Sequence, residues 1–139
     1  SHHAWKEATK DLPLLHIDHL DPTQDVYEYA DLRRALKRSR LYLHDGEQEY
    51  TITLIEAMMT GLPLVSFRIP GIERYVEHGV NGFVGGTAEE VRGYSQELLK
   101  DDGLTEKMGA ASRAKAVSEF HEDRWRAQWK TLIHEFMSR

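Results

Sequence analysis

Short apolar runs alternate with helical patterns along the chain, and this alternation restricts the fold more than any other feature of the sequence. The runs predicted as strands are Leu12–Ile17, Arg40–His44, Pro63–Phe67 and Asn81–Val84. The helices predicted between them are Tyr27–Ser39, Thr51–Thr60, with Gly61 as its stop, and Gly71–His78. Strands that alternate with helices form βαβ units and a parallel sheet. Because these strands are continuous apolar runs, helices should cover both faces, and we predict a doubly wound, Rossmann-like α/β fold.

The last third of the chain is predicted to be helical. Thr87 and Glu90 have the spacing of a capping box at a helix start. Gly103 is predicted to separate the helix that follows from a further helix, Leu104–Phe120. The apolar stripe of a final helix consists of Trp125, Trp129, Leu132, Ile133 and Phe136. This spacing favours core packing as the role of the two tryptophans.

Length and composition exclude several classes of protein. The 139 residues suit one domain, residues 1–139. The formal net charge is −5 and no basic face is evident, so we expect no binding to nucleic acid. The chain has no cysteine, which excludes disulfides and thiolate-ligated zinc. Its apolar runs are too short to cross a bilayer and no signal peptide is visible, so we expect a cytoplasmic protein.

The predicted helix Thr51–Thr60 carries the residue types that could bind a ligand. Ile52, Ile55 and Met59 share one helical face, and Glu56 lies at the edge of that face, roughly 40° from Ile52. A partly buried carboxylate needs hydrogen-bond partners, which sugar hydroxyls could supply. The ordinary alternative is a bond from Glu56 to a neighbouring amide, Lys or Arg. At the helix start, free backbone N–H groups and the positive end of the dipole could hold a diphosphate.

The same segment resembles the helix-opening motif of the group 1 retaining glycosyltransferases of the GT-B class. In that family a Glu-Ala-Met-Ala sequence leads into a Gly-x-Pro-Val-Val strand, and Leu54–Val65 follows this pattern. Further segments resemble the family's Gly-Ile-Pro-Glu-x-Val, Gly-x-Asn-Gly-Phe and C-terminal patterns: Gly71-Ile72, Tyr75-Val76, His78–Val84 and Phe120–Trp125. The similarity covers Leu32 to Arg139 and keeps the motifs in order.

Two residues depart from the family pattern. The family has a first Glu eight positions before the second, and here Gln48 holds that place, with Glu47 and Glu49 beside it. In the family this first acid contacts the donor sugar, so its replacement bears on sugar identity and on activity. The second departure is Arg74, which stands where the family has the Glu of its Gly-Ile-Pro-Glu segment. We interpret Arg74 as a local change at a helix start.

The resemblance implies a donor site without a metal or other cofactor, for a nucleotide-diphosphate sugar. Glu56 would bond to the ribose hydroxyls, and Gln48 or Glu49 would face the sugar. The backbone of three residues would line the sugar and phosphate: Tyr50, Thr51 and Ile52. The loop around Asp18 and His19 would lie near the base. No Asp-x-Asp triplet is present, and the helix dipole with fixed amides would stabilise the departing diphosphate instead.

The resemblance also implies that the chain is the donor-binding half of a hexosyltransferase that retains anomeric configuration. The family's Gly-rich turn, with an Arg and a Lys that bind the diphosphate, and its N-terminal acceptor domain would precede this sequence. We therefore expect a domain truncated at its N-terminal end, either a fragment or one half of a split enzyme. We expect no sugar transfer by this chain alone.

Other functions stay open at this level. A non-catalytic binding or interaction module that kept the fold is favoured by Gln48 and opposed by Glu56. A third possibility is another GT-B activity, such as that of an epimerase or a phosphorylase. His44 could touch the donor sugar, although a structural role is favoured. The basic cluster Asp31–Arg40 is a solvated helix face or, less favoured, a weak contact with an anionic membrane.

Overall fold

The computed structural model describes residues 2–13, 29–44, 51–120, 130–131, 133–134 and 137. The helices are α1 (His2–Thr9), α2 (Tyr29–Arg38), α3 (Thr51–Thr60), α4 (Ala88–Lys100) and α5 (Asp102–Glu119). The strands are β1 (Tyr42–His44), β2 (Leu64–Phe67) and β3 (Gly82–Gly85). A 3₁₀ turn, Ile72–Arg74, lies between β2 and β3. Of the predicted strand Leu12–Ile17, only Leu12 and Pro13 lie within the described residues, and neither is in a strand.

The described strands form one parallel sheet in the order β1-β2-β3, so β2 lies in the middle. Leu43 pairs with Val65, and Val65 pairs with Phe83 on its other side. After β1 and again after β2, the chain returns from the carboxyl end of the strand to the other end of the sheet, where the next strand begins, as parallel pairing requires. The predicted parallel sheet of a Rossmann-like α/β fold is therefore confirmed.

The two faces of the sheet pack into two separate hydrophobic clusters. Along β2, Leu64 belongs to a cluster with α2, α3 and the second half of α5. Val65 belongs to the other cluster, which includes residues of α1 and α4. Neighbouring residues of a strand point to opposite faces, so this division follows from the strand geometry. Helices cover both faces of the sheet, as the continuous apolar runs predicted.

Helix α3 is the most deeply buried of the described helices. Every residue from Thr53 to Met59 is buried, and Ile55 and Met58 are 0% exposed. The predicted bounds of this helix are confirmed. Its end is a Schellman motif, in which Gly61 adopts a φ of 89°. The amide of Gly61 donates to the carbonyl of Met58 at 3.0 Å, and that of Leu62 donates to Ala57 at 3.1 Å.

Helices α4 and α5 meet at Asp101, and the prediction that Gly103 separates them is wrong. Asp101 ends α4 and is also the N-cap of α5, where its Oδ1 accepts from the amide of Leu104 at 3.0 Å. Gly103 lies within the first turn of α5. The Asp101 carboxylate begins the new helix because it accepts from an amide that has no acceptor within the helix, and Gly103 then lies inside that helix without ending it. The predicted Thr87 cap of α4 is confirmed, since its Oγ1 accepts from the amide of Glu90 at 3.1 Å.

The basic cluster Asp31–Arg40 divides into exposed residues and one that joins other elements. The guanidinium of Arg40 donates to the carbonyl oxygen of Leu98 from Nε at 3.2 Å and from Nη2 at 3.0 Å. Its Nη2 also lies 2.6 Å from a carboxylate oxygen of Asp102. Arg40 therefore holds the joint between α4 and α5. Among the side chains of the cluster that the structure describes on α2, Arg34, Lys37 and Arg38 are exposed. The membrane contact stays a prediction.

The C-terminal segment reaches the core. Phe120 is 5% exposed and Ile133 is 8% exposed, and both belong to the cluster around α3. Ile133 was predicted to lie on the apolar stripe of the final helix, and residues 130–131, 133–134 and 137 are helical. The other members of that stripe, including Trp125 and Trp129, lie outside the described residues.

The close approach of α5 to the end of α3 predicts that a single methyl group added at Gly109 destabilises the fold. A Cβ atom at Gly109 would lie 2.2 Å from the carbonyl oxygen of Gly61, so the two segments must separate. We expect Gly109→Ala to lower the free energy of unfolding by about 1–3 kcal/mol through overpacking. Gly93→Ala is the matched control, because Gly93 is an exposed residue of α4 with nothing near its Cβ position.

Gly93→Ala should raise the free energy of unfolding by up to about 1 kcal/mol, the difference in helix propensity. Urea denaturation of the two variants and the unsubstituted chain measures both effects. Equal shifts in both variants would contradict the close packing of α3 against α5.

Candidate functional site

The carboxyl ends of the parallel strands lie side by side and form one end of the sheet, here called the carboxyl edge, and α3 begins near it. β1 ends at His44, β2 at Phe67 and β3 at Gly85. The chain leaves β1 at His44 and enters α3 at Thr51. Parallel α/β sheets bind ligands outside the carboxyl ends of their strands. In the first turn of an α-helix the N–H groups have no acceptor within the helix, and the helix dipole is positive there. The start of α3 is therefore the candidate site.

The predicted site residues fall partly within the described chain. Thr51 and Ile52 form the first turn of α3, as predicted, and their backbone is helical. Gln48, Glu49 and Tyr50 lie outside the described residues, and so do Asp18 and His19. The donor contacts assigned to all of these residues stay predictions.

Glu56 is buried much more completely than its position on the helical wheel predicted. The wheel placed it at the edge of an apolar stripe, partly buried, whereas its exposure is only 2%. The difference arises because other elements surround α3, so the positions beside the stripe are buried too. Glu56 also has an interaction partner within the chain. It lies five residues inside the helix, about 7.5 Å along the axis from Thr51 at the α-helical rise.

Thr53 is a feature of the site that the pattern of the sequence did not indicate. It is 1% exposed, and its Oγ1 has no hydrogen-bond partner within the part of the chain that the structure describes. Buried hydroxyls are almost always hydrogen-bonded, so an unpaired one requires an explanation. Thr53 lies in the first turn of α3, three residues before Glu56. A polar residue within an otherwise apolar stretch of a buried helix was the only available signal in the sequence.

Arg68 was also overlooked, and it brings a positive charge to the same edge. It directly follows β2, and its side chain is exposed. Its amide donates to the carbonyl of Gly85 at 2.9 Å, which fixes its backbone between β2 and β3. A basic residue directly after an apolar run was the signal that could have identified it. Arg68 and the start of α3 both favour an anionic ligand at this edge.

His44 is a buried residue at the end of β1. It is 3% exposed and has a partner within the chain. Its ring stacks against that of Tyr42, with centroids 6.5 Å apart. In the sheet His44 pairs with Ser66 of β2. Burial and stacking agree with the structural role favoured from the sequence, and a contact with the donor sugar stays a prediction.

Arg74, which departs from the family pattern, contacts an aromatic pair. The rings of Tyr75 and Phe120 stack with centroids 5.8 Å apart. The guanidinium carbon of Arg74 lies 5.9 Å from the centre of the Tyr75 ring and 5.8 Å from that of Phe120. Arg74 is the last residue of the 3₁₀ turn, so the predicted place at a helix start is wrong. Its guanidinium caps the contact between this turn and the end of α5 by a cation–π interaction.

Asn81 explains why the predicted helix Gly71–His78 is limited to the turn Ile72–Arg74. The Asn81 side chain is 1% exposed, and its Oδ1 accepts from the amide of Glu77 at 2.7 Å. Its Nδ2 donates to the carbonyl of Tyr75 at 2.8 Å. In a longer helix the Glu77 amide would donate to the carbonyl of Glu73, and the Tyr75 carbonyl would accept from the amide of Gly79; the Asn81 side chain replaces both partners.

The Asn-Gly-Phe motif that contributes to the family resemblance therefore has a structural role. It lies at the start of β3, at the opposite edge of the sheet from the start of α3. His78 supports the same loop, because its Nδ1 accepts from the amide of Val84 at 3.0 Å.

The described residues contain neither a cluster suited to a metal ion nor a helix suited to a membrane. Among the described residues, no group of three or more His, Asp or Glu side chains is arranged to hold a metal ion. None of the helices in the described ranges has the length and apolar composition needed to cross a bilayer. The metal-free site and the cytoplasmic location remain predictions.

Comparison with known proteins assigns the family. Residues 12–115 match the sequence profile described as glycosyl transferases group 1. The chain belongs to this family. The family resemblance is thus confirmed. The match begins at Leu12, earlier than the similarity from Leu32 indicated, and ends before Phe120–Trp125, whose likeness to the family's C-terminal pattern stays a prediction.

Individual relatives agree with this assignment. The chain is 30% identical over 126 residues to N-acetyl-alpha-D-glucosaminyl L-malate synthase from Bacillus anthracis, across 88% of this chain and 32% of that protein. It is 30% identical over 104 residues to the amylovoran biosynthesis glycosyltransferase AmsK from Erwinia amylovora, across 73% and 26%. The chain thus spans between a quarter and a third of the length of these relatives.

A solved structure shares the fold of this group 1 domain. The protein is HepE from Anabaena, whose crystal structure is that of a complex with UDP-glucose. The two structures superpose with a TM-score of 0.58 at 24% sequence identity, over 78% of this chain and 30% of the other. The likeness supports the Rossmann-like architecture predicted from the strand and helix pattern.

The two hydrogen bonds of Asn81 predict that Asn81→Asp, which replaces the side-chain nitrogen by an oxygen, destabilises the fold. Asn81→Asp keeps an acceptor for the Glu77 amide but places an oxygen opposite the Tyr75 carbonyl and buries a charge. We expect the free energy of unfolding to fall by about 1–3 kcal/mol or more. Val80→Ala, at the neighbouring exposed residue, should change it by less than about 0.5 kcal/mol. Thermal unfolding measures both, and an Asp variant as stable as the unsubstituted chain would refute the structural role.

Proposed function

We propose that this domain binds the nucleotide-diphosphate sugar donor of a glycosyltransferase at the first turn of α3. The observation that carries the proposal is the position of this turn. It lies at the carboxyl edge of a parallel sheet, in a group 1 glycosyltransferase domain, with the carboxylate of Glu56 one turn deeper in the same helix. Negatively charged groups bind at helix starts of this kind because amides and dipole act together.

Each part of the donor has a proposed contact. The diphosphate is placed at the free amides of the first turn, with the backbone of Tyr50, Thr51 and Ile52 along the sugar and phosphate. Exposed Arg68 adds positive charge at the same edge. Glu56 accepts from the ribose hydroxyls, and Gln48 or Glu49 faces the sugar. Because Glu56 is 2% exposed, its carboxylate must become accessible before the ribose hydroxyls can reach it.

The whole protein is proposed to transfer a hexosyl group with retention of configuration. Charge develops on the leaving diphosphate as the glycosidic bond breaks, and preorganised amides at a helix start stabilise such charge. No metal or other cofactor is required in this scheme. The acceptor would be bound by a further, N-terminal domain of the protein. The similarity to N-acetyl-alpha-D-glucosaminyl L-malate synthase and to the UDP-glucose complex of HepE supports a nucleotide-sugar donor.

The alternative is a binding module that kept the fold without the reaction. It is favoured by Gln48, because a neutral amide replaces the carboxylate that in the family contacts the donor sugar. The two functions differ in what becomes of the donor: both bind it, but only the transferase breaks the bond between sugar and diphosphate. Release of the nucleoside diphosphate from the donor, measured on the whole protein, distinguishes them.

Calorimetric titration with UDP, GDP, ADP and their sugar conjugates tests the proposal. We expect one nucleotide to bind in preference to the others. Glu56→Gln, which conserves volume within a buried site, should weaken that binding about tenfold or more, because a charged acceptor for two hydroxyls is lost. Glu97→Gln, an exposed Glu on α4, is the control and should leave the affinity unchanged. Unchanged affinity in Glu56→Gln would refute the ribose contact.

Chelation tests the metal-free site. The dissociation constant for the preferred nucleotide, measured before and after dialysis against EDTA, should be the same within error. The physical reason is that helix-start amides supply the positive potential that a divalent cation would otherwise provide. Recovery of affinity on addition of Mg²⁺ or Mn²⁺ after a loss in EDTA would contradict this expectation.

A further inference from the structure

Two buried hydroxyl groups in the described chain have no hydrogen-bond partner, and they differ in one respect. They belong to Thr53 of α3, 1% exposed, and Ser112 of α5, 0% exposed. Two other hydroxyls in the helices donate to the carbonyl four residues earlier: that of Thr60 to Glu56 at 2.7 Å and that of Ser95 to Val91 at 2.8 Å. For Ser112 the carbonyl four residues earlier lies in the same helix, whereas for Thr53 that position precedes the first residue of α3.

The geometry of a helix directs the Thr53 side chain toward the candidate site. In an α-helix the Cα–Cβ bond tilts toward the N-terminus, so a side chain covers the turn that precedes it. For Thr53 this is the first turn of α3, where the free amides lie. The hydroxyl and these amides are all hydrogen-bond donors, and together they fit a group rich in acceptors.

A valine would fill the same volume without the unpaired hydroxyl. The neighbours of Thr53 in sequence, Ile52, Leu54 and Ile55, are all apolar. Threonine and valine have similar helix propensities, so the helix itself does not favour threonine. A buried hydroxyl without a partner destabilises the fold. Binding of a ligand that supplies the missing acceptor accounts for a threonine at this position.

We propose that the Thr53 hydroxyl donates a hydrogen bond to a phosphoryl oxygen of the donor's diphosphate. The inference rests on the proposed function and adds a side-chain contact to the backbone amides. A phosphate fits better than a ribose or sugar hydroxyl for two reasons. The hydroxyl faces the same turn as the amides, and Glu56 lies one turn deeper, where it would take up the ribose. Bonds from a neutral donor to a charged acceptor are also the stronger kind.

Three substitutions separate a binding role from a structural one. Thr53→Val removes the hydroxyl and keeps the shape, Thr53→Ser keeps the hydroxyl and removes the methyl group, and Ser112→Ala removes the other unpaired hydroxyl. Each variant is measured by thermal unfolding without nucleotide, and by titration with whichever of UDP, GDP and ADP binds the unsubstituted chain. Titration with the corresponding nucleoside reports binding without phosphate.

Thr53→Val is expected to have an unchanged or higher Tm and about tenfold weaker binding of the nucleoside diphosphate. Its affinity for the nucleoside should not change. Thr53→Ser should bind the diphosphate within about twofold of the unsubstituted chain despite a lower Tm, because the hydroxyl bond is kept while the buried methyl is lost. Ser112→Ala should leave diphosphate binding unchanged.

The remaining outcomes overturn the inference in distinguishable ways. If Glu56→Gln weakens diphosphate binding and Thr53→Val does not, the proposed function stands and the Thr53 contact is wrong. If Thr53→Val lowers both the Tm and the affinity, and Thr53→Ser restores neither, the hydroxyl has a structural role. Equal losses for nucleoside and nucleoside diphosphate would place the contact away from the phosphate. If the unsubstituted chain binds none of the three nucleotides, the proposed function and this inference both fail.

Discussion

The burial of α3 between the sheet and α5 is the constraint on which the rest of the described structure depends. The helix contributes five of the fifteen buried residues of one hydrophobic cluster, more than any other element, and it ends in a Schellman motif where α5 passes so closely that only a glycine fits at position 109. Full burial of a side chain such as Ile55 or Met58 contributes about 1.5–3 kcal/mol. The same packing holds the helix against the sheet, with its first turn at the carboxyl ends of the strands.

The proposed donor site is thus built into a core helix and not onto a surface loop. A helix surrounded by other elements leaves little freedom to its polar residues, and Glu56 and Thr53 are held in place by the packing of their apolar neighbours. Precise placement of binding groups benefits from such support. It also has a cost, since a buried hydroxyl without a partner lowers stability until a ligand supplies one.

The sequence predicted the local parts of this structure well and the long-range parts less well. The bounds of α3 were correct because Gly61 ends the helix by local geometry alone. The helix predicted for Gly71–His78 was too long because Asn81, several residues later, takes up the backbone groups of Tyr75 and Glu77. The burial of Glu56 was underestimated because a helical wheel contains only the helix's own residues. Gly103 was given the role that Asp101 has, because both residue types mark helix boundaries.

Arg40 has a consequence for how the domain unfolds. It stands just before β1, yet its guanidinium bonds to Leu98 and pairs with Asp102, which lie about sixty positions further along. A contact between such distant parts of the chain ties the first described strand to the pair of helices α4 and α5. Neither part can then detach without breaking the other's contacts, so the domain is expected to lose its structure in a single cooperative transition and not by fraying of its helical end.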